Sequence, residues 1–196
     1  MGLLSKKNKP SQKAYAVVTG AGSGIGRSFA LELAKRGGDV ICADIELSSA
    51  QETVDLIQSM TSTSAYAVHC DVGLKESVHA LAEQAEQLLG HPVTLLINNA
   101  GVGLGGKFDE VSLEDWQWCM HVNLWGVIHG CHYFVPKFKQ QGSGAIINVA
   151  SAAGYTAAPE MTAYNVTKSS VLALSETLAS ELHAYNIAVN VLCPTL

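Results

Sequence analysis

Ala14-Tyr15-Ala16-Val17-Val18-Thr19-Gly20-Ala21-Gly22-Ser23-Gly24-Ile25-Gly26 is the stretch that decides the fold. A short apolar run, 14–19, passes straight into a glycine-rich turn, and 25–35 then reads as a helix. Gly20, Gly24 and Gly26 fall where the strand becomes the helix. Glycines there permit a tight turn and close backbone approach. The helix N-terminus beyond them offers unpaired N–H groups to a pyrophosphate. The spacing is TGxxxGxG rather than GxGxxG. A glycine turn alone says little, but between a strand and a helix, with an acid downstream, it points to dinucleotide binding. That acid is Asp44, which closes the next apolar run.

Beyond this unit the same alternation repeats. Strands are predicted at 14–19, 39–43, 65–69, 93–97, 145–149 and 187–192. Helices are predicted at 25–35, 48–60, 75–89, 113–139 and 163–184, with Pro136 marking the end of the fourth. Strands this short and apolar are expected where helices cover both faces. Regular alternation predicts right-handed crossovers and a parallel sheet. The expectation is an α/β, Rossmann-like, doubly wound sheet with helices on both faces.

A chain of 196 residues with 48% hydrophobic content fits one domain with a sizeable core. The formal charge of −5 argues against nucleic acid as a partner. Lys6, Lys7, Lys9 and Lys13 form a basic cluster, read as a flexible N-terminal tail over 1–13 ahead of a domain at 14–196. Met1-Gly2 opens a myristoylation motif that Lys6 breaks. No stretch is long and apolar enough to span a membrane, and no signal-peptide core is present. The five cysteines are odd in number and form no CxxC; they read as buried free thiols of a cytoplasmic protein. His129 and His132 share a helix face around Cys131, but no further ligand is suitably spaced, so no metal is expected.

The chemistry lies in Tyr164-Asn165-Val166-Thr167-Lys168. A Tyr and a Lys four apart share a helix face. The ammonium can favour the phenolate of a tyrosine whose ordinary pKa, about 10, is too high for a base at neutral pH. Ser151 lies thirteen residues upstream, just after an apolar run, and Asn123 sits in His121-Val122-Asn123-Leu124. No GxSxG elbow supports a hydrolase reading of Ser151.

The TGxxxGxG loop, Asn98-Asn99-Ala100-Gly101 and the Asn123, Ser151, Tyr164, Lys168 set together resemble the short-chain dehydrogenase/reductase family. The resemblance runs from Ala14 to Pro194. It implies an NAD-dependent oxidoreductase that interconverts a secondary alcohol and a ketone. Tyr164 would be the general acid/base, and Lys168 would favour the phenolate and hold the nicotinamide ribose. Ser151 would bind the substrate oxygen, and Asn123 would hold a water that relays protons from Lys168. The implied cofactor site is Gly20, Ser23, Gly24, Ile25, Gly26, Asp44, Asp71, Val72, Asn99, Ala100, Gly101, Tyr164, Lys168 and Pro194. Asp71 would meet the adenine amino group, with a helix N-cap as its alternative role, and Val72 would pack on the ring. Asp44 would accept from the ribose hydroxyls and repel the extra phosphate of NADP; the basic Arg27 beside the loop is the counter-argument.

The resemblance also implies a homodimer or homotetramer through the two long helices, with Val171, Leu174, Leu178 and Leu182 mostly core. Val102, Leu104, Phe108, Tyr155 and Met161 would make an apolar wall for a small-molecule alcohol or carbonyl substrate. Cys193-Pro194-Thr195-Leu196 ends the text where the family has a Pro-Gly clamp, a lid and a seventh strand, with Thr195 in place of the usual Gly. The expectation is a C-terminally short domain lacking lid and seventh strand. The alternative function is a truncated cofactor-binding protein with little or no turnover.

Overall fold

The computed structural model describes residues 9–195. The Met1-Gly2 start, Lys6 and Lys7 of the basic tail, and Leu196 lie outside them. Six strands form one sheet: β1 (Tyr15–Thr19), β2 (Asp39–Asp44), β3 (Ala65–His69), β4 (Leu95–Asn98), β5 (Gly144–Val149) and β6 (Ile187–Leu192). Their order is β3-β2-β1-β4-β5-β6, and every pairing is parallel. This is the doubly wound order, which reverses direction between β1 and β4 and opens a crevice at the strands' carboxyl ends.

The helices are α1 (Gly24–Lys35), α2 (Leu47–Met60), α3 (Lys75–Leu89), α4 (Leu113–Met120), α5 (Gly126–Gln141), α6 (Ala153–Thr156) and α7 (Thr162–Leu182). Alternate strand residues feed two cores, as the period of two requires. Ala16, Val18, Val40, Cys42, Leu95 and Ile97 pack under α1 and α2, which supply Ala30, Leu33, Val54 and Ile57. Val17, Ile41, Leu96 and Ile146 pack on the other face against α3, α5 and α7, which supply Leu81, Phe134, Phe138 and Val171.

The strand order of elements is as expected, and the boundaries differ by a residue or two. The larger departures lie in the helices. The helix predicted over 113–139 is interrupted by a π-helical turn, His121–Trp125, and continues past Pro136 to Gln141. Pro136 lies on the exposed side of α5, where the carbonyl freed by its missing N–H can face water. Phe134 and Phe138, both fully buried, hold the helix down on either side of it. The short helix α6 was not anticipated. It packs so closely on α7 that a Cβ at Gly154 would meet the Lys168 carbonyl at 3.1 Å.

A buried polar bridge joins the centre of the sheet to α7. Asn98 donates to Asn148 Oδ1 (2.8 Å), Asn148 donates to Ser175 Oγ (3.0 Å), and Ser175 donates to the Val171 carbonyl (2.6 Å). All three polar side chains are buried, so each bond removes a desolvation cost as well as adding attraction.

Candidate active site

At the carboxyl ends of the strands lies a cavity of about 590 Å³. Its lining includes Gly20, Ser23, Gly24, Ile25, Asp44, Asp71, Val72, Asn99, Ala100, Gly101, Ser151, Tyr164, Lys168 and Pro194. Of the expected cofactor and acid–base residues, Gly26 and Asn123 fall behind this lining; of the expected apolar wall, Val102 lines the cavity and Leu104, Phe108, Tyr155 and Met161 do not.

Gly20 and Gly24 both take the left-handed backbone conformation, φ +64° and +53°, which L side chains rarely adopt. A Cβ on Gly24 would find no protein atom within 4 Å, so the loop leaves open space at the head of α1. Gly26 serves differently. A Cβ there would lie 2.0 Å from the Gly20 carbonyl oxygen, so this glycine lets α1 pack against its own loop. The loop is tied to β4 through Thr19, whose hydroxyl accepts from the Asn99 and Ala100 N–H groups (3.0 and 3.1 Å). Asn99 Nδ2 in turn donates to the Thr19 carbonyl at 2.9 Å and the Gly20 carbonyl at 3.2 Å. The NNAG segment is therefore the clamp on the glycine loop. Thr19 is a positioning residue that sequence reasoning passed over as strand.

Asp44 ends β2 and lines the cavity. Its Oδ2 accepts from the Gly22 N–H (2.8 Å) and its Oδ1 from the Glu46 N–H (3.0 Å). Each carboxylate oxygen keeps a further lone pair for a hydroxyl donor. Arg27 does not reach into the cavity lining. Its guanidinium donates to the Gly22 carbonyl, to Thr53 Oγ1 (3.0 Å) and to Glu52 Oε2 (3.0 Å).

Asp71 caps a turn of its own rather than a helix. Its Oδ1 accepts from the Gly73 N–H (2.9 Å), while α3 begins only at Lys75. Val72 is buried beside it and faces the same cavity.

At the other end stand Ser151, Tyr164 and Lys168. Tyr164 and Lys168 share one face of α7, with the Lys168 Nζ 5.6 Å from the centre of the Tyr164 ring. Lys168 is buried and donates to the Val149 carbonyl at 2.9 Å. Burial pulls its pKa down to about 8, with Cys119 and Cys193 acting weakly the other way. Ser151 follows β5 by two residues, and its Oγ accepts from the Ala153 N–H at 3.2 Å. This bond holds the hydroxyl at the cavity wall and leaves its proton available to another acceptor.

Asn123 is fully buried in the π-helical turn. Its Oδ1 accepts from the Val102 N–H (2.7 Å) and its Nδ2 donates to the Val102 carbonyl (2.9 Å). Nδ2 also reaches Cys119 Sγ (3.3 Å) and Thr167 Oγ1 (3.4 Å). The side chain thus grips the segment after β4 as another strand would. Gly101 lies between the gripped segment and the lysine: a Cβ there would be 3.2 Å from Asn123 Oδ1 and 3.4 Å from Lys168 Nζ. Ile45, Cys70, Trp118 and Val122 also line the cavity and were not singled out from the sequence. Burial pushes the Cys70 thiol up to about 11, so it remains a protonated, apolar wall.

The residues present fit a dinucleotide. Backbone N–H groups at the head of α1 suit a pyrophosphate, Asp44 suits ribose hydroxyls, and the Tyr–Lys pair faces the opposite end. The fold and this site define a doubly wound α/β protein whose cavity suits a dinucleotide, with a Tyr–Lys pair at one end. The chain belongs to the short-chain dehydrogenase/reductase family: the family model for short chain dehydrogenases matches residues 14–196. It is an oxidoreductase of that family, and the family's solved members include complexes with NAD. An uncharacterized oxidoreductase of Thermotoga maritima is 38% identical, over 93% of this chain and 71% of its own length. A cyclohexanol dehydrogenase of an Acinetobacter strain is 37% identical, over 95% of this chain and 74% of its own. A Burkholderia phymatum family member crystallised with NAD superposes with a TM-score of 0.92 at 38% identity, covering 96% of this chain and 67% of that one. Among the described residues no helix is long and apolar enough to cross a membrane, and no cluster of side chains suits a metal ion.

Proposed function

We propose that this chain is an NAD-dependent dehydrogenase/reductase that interconverts an apolar secondary alcohol and its ketone. The observation that carries the reading is Tyr164, four residues before a buried lysine, on the wall of the cavity that also holds Ser151 and the glycine loop. When bound, the nicotinamide ring accepts or returns the hydride. Tyr164 takes the hydroxyl proton in oxidation and gives it back in reduction. Ser151 donates to the substrate oxygen and sets its distance from Tyr164. Lys168, when charged, favours the Tyr164 phenolate and holds the nicotinamide ribose. Asn123 holds the Gly101–Val102 backbone against the lysine and, with it, the water that leads protons away. Gly20, Ser23, Gly24 and Ile25 cradle the pyrophosphate, Asn99, Ala100 and Gly101 border the ribose, and Pro194 borders the nicotinamide.

Selectivity for NAD over NADP rests on Asp44, whose charge opposes a 2′-phosphate, and on Arg27, already engaged with Glu52. The apolar character of the substrate rests on Val102, Leu104, Phe108, Tyr155 and Met161, of which Val102 lines the cavity, and on the cyclohexanol activity named for a relative. Five free cysteines, four of them buried, fit a reducing compartment such as the cytoplasm.

One experiment tests the reading: titrate wild type and Tyr164→Phe with NADH and NADPH by fluorescence, then assay both with cyclic and aliphatic secondary alcohols. NADH should bind more tightly than NADPH to both proteins, and only wild type should turn over. Substantial turnover by Tyr164→Phe would remove that residue from the role, and tighter NADPH binding would overturn the Asp44 argument. NADH binding by wild type without turnover on any alcohol or ketone would favour the cofactor-binding alternative.

A further inference from the structure

His129 has no part in the residue set above, and in the sequence it reads as an ordinary member of α5. In the structure its Nδ1 lies 2.9 Å from the Val72 carbonyl oxygen, 57 residues away in the chain. A carbonyl can only accept, so Nδ1 carries the proton and donates. The ring is half-buried and leans against Trp125, with ring centres 5.8 Å apart.

The loop that His129 reaches is the cavity wall at Asp71 and Val72. The loop enters from β3 held by the Cys70 N–H, which donates to the Asp44 carbonyl (2.9 Å), and beyond that point its other anchors are local in sequence. The Asp71 N–H donates to Ser77 Oγ (3.1 Å), and the Gly73 and Leu74 N–H groups return to Asp71 at Oδ1 (2.9 Å) and at the carbonyl (3.1 Å). All of these belong to the turn that starts α3. Among the described residues, the His129 bond alone ties the middle of this turn to the neighbouring helix α5 by a polar contact.

The same helix face is shaped for the loop. A Cβ on Gly126 would lie 2.8 Å from Val72 Cγ2, so the valine side chain sits directly on the α5 backbone. One turn earlier, His121 Cβ would be 3.6 Å from a Cβ on Gly73. Residues 121, 126 and 129 therefore back the whole loop from behind.

We propose that His129 is a positioning residue for the adenine end of the cofactor site: it fixes the Val72 carbonyl and so sets where Asp71 presents its carboxylate. The inference rests on the reading that Asp71 meets the adenine amino group. A carboxylate discriminates that amino group only while its oxygen is held within hydrogen-bond range, and a loop pinned beyond Cys70 only to its own helix can shift by more than that. Asparagine at 129 carries an amide N–H at the same branch point as imidazole Nδ1, so it can make the same donation; alanine cannot.

The test is the ratio of affinities for NADH and for its hypoxanthine analogue, which lacks the adenine amino group, both read by nucleotide fluorescence. Wild type should prefer NADH by roughly tenfold, one charge-assisted hydrogen bond. His129→Ala should bring the ratio close to one, and His129→Asn should restore most of it. A purely structural role would weaken both nucleotides in proportion and leave the ratio unchanged; that result overturns the inference, as does a wild-type ratio in a folded His129→Ala protein. Asp71→Ala separates the two levels. If it keeps the wild-type ratio, the adenine reading falls and the inference with it. If it loses the ratio while His129→Ala keeps it, the reading stands and the role of His129 does not.

Discussion

Lys168 is where function and stability oppose each other. Its ammonium must be buried to sit beside Tyr164, and burial, opposed by Cys119 and Cys193, brings its pKa from 10.5 to about 8. The sign follows from proton counting. Between those two values the unfolded lysine keeps a proton that the folded one has released, so stability rises as pH rises through that window. Below about 8 the folded protein carries the charge and the full penalty. The difference, 10.5 − 8 = 2.5 units, corresponds to about 3 kcal/mol. Lys168→Met removes the titrating group. In urea unfolding of the nucleotide-free proteins, wild type should gain about 3 kcal/mol relative to Lys168→Met between about pH 7.5 and pH 10.5. A difference that stays flat across that range would mean the folded ammonium remains hydrated. That the tyrosine, serine and lysine line one cavity was legible in the sequence, because the chemistry proposed for them needs those side chains at fixed spacing on one helix and just past one strand. Asn123 was legible only as a member of that set. Nothing in its neighbours announces that its amide closes a β-like pair with Val102 (2.7 and 2.9 Å) across 21 residues.

Single elements show what a linear reading can and cannot reach. The strands were legible because burial on both faces leaves unbroken apolar runs, and the first turn because its glycines answer to backbone geometry. The break in the 113–139 helix was not: a π-helical turn keeps the helical pattern while adding a residue, and here it turns Asn123 inward. Pro136 misled for a related reason: it lies on the exposed side of α5, where the carbonyl it leaves without a partner can face water, and the helix runs past it. The Asn98–Asn148–Ser175 bridge was invisible because its members are 50 and 27 residues apart. Gly130 is the part of α5 that makes this bridge possible. A Cβ there would stand 2.1 Å from Asn98 Oδ1, so Gly130→Ala must displace either the helix or the amide. An overpacked and partly unsatisfied centre should cost about 2–4 kcal/mol. Thermal unfolding checks this against Gly103→Ala, where a Cβ meets nothing within 4 Å and the change should stay within about 0.5 kcal/mol. Equal losses in the two variants would show that the bridge does not depend on that close approach.

At the scale of the whole molecule, large exposed apolar side chains gather in one place. Leu113 is 74% exposed, Trp118 47% and Trp125 46%, all along α4 and the π-helical turn. Leu113, Trp116, Met120 and Trp125 line a groove of about 350 Å³ there, and Val166 of α7 is exposed as well. The inner stripe of α7 is spent on the core: Val171 and Leu182 are buried, and Leu174 and Leu178 pack against them. The outer face of α7 presents small side chains, Ser169, Ala173 and Thr177, that would let a second helix approach closely. Contiguous apolar patches on a soluble surface mark contacts with another molecule, and a twofold pairing of the same face needs no second protein. The proposal is a homodimer through these helices, with the tetramer as its extension. Leu113→Glu and Trp125→Glu replace exposed side chains, so the monomer fold should lose little. Leu113→Glu also places an acid in the first turn of α4, where the helix dipole favours it. Sedimentation velocity at micromolar concentration should give a dimer or tetramer for wild type and a smaller species for both variants, with melting of the secondary structure nearly unchanged at matched concentration. A wild-type protein that sediments only as a monomer would leave this face without a partner copy, and the two variants would then sediment as wild type does.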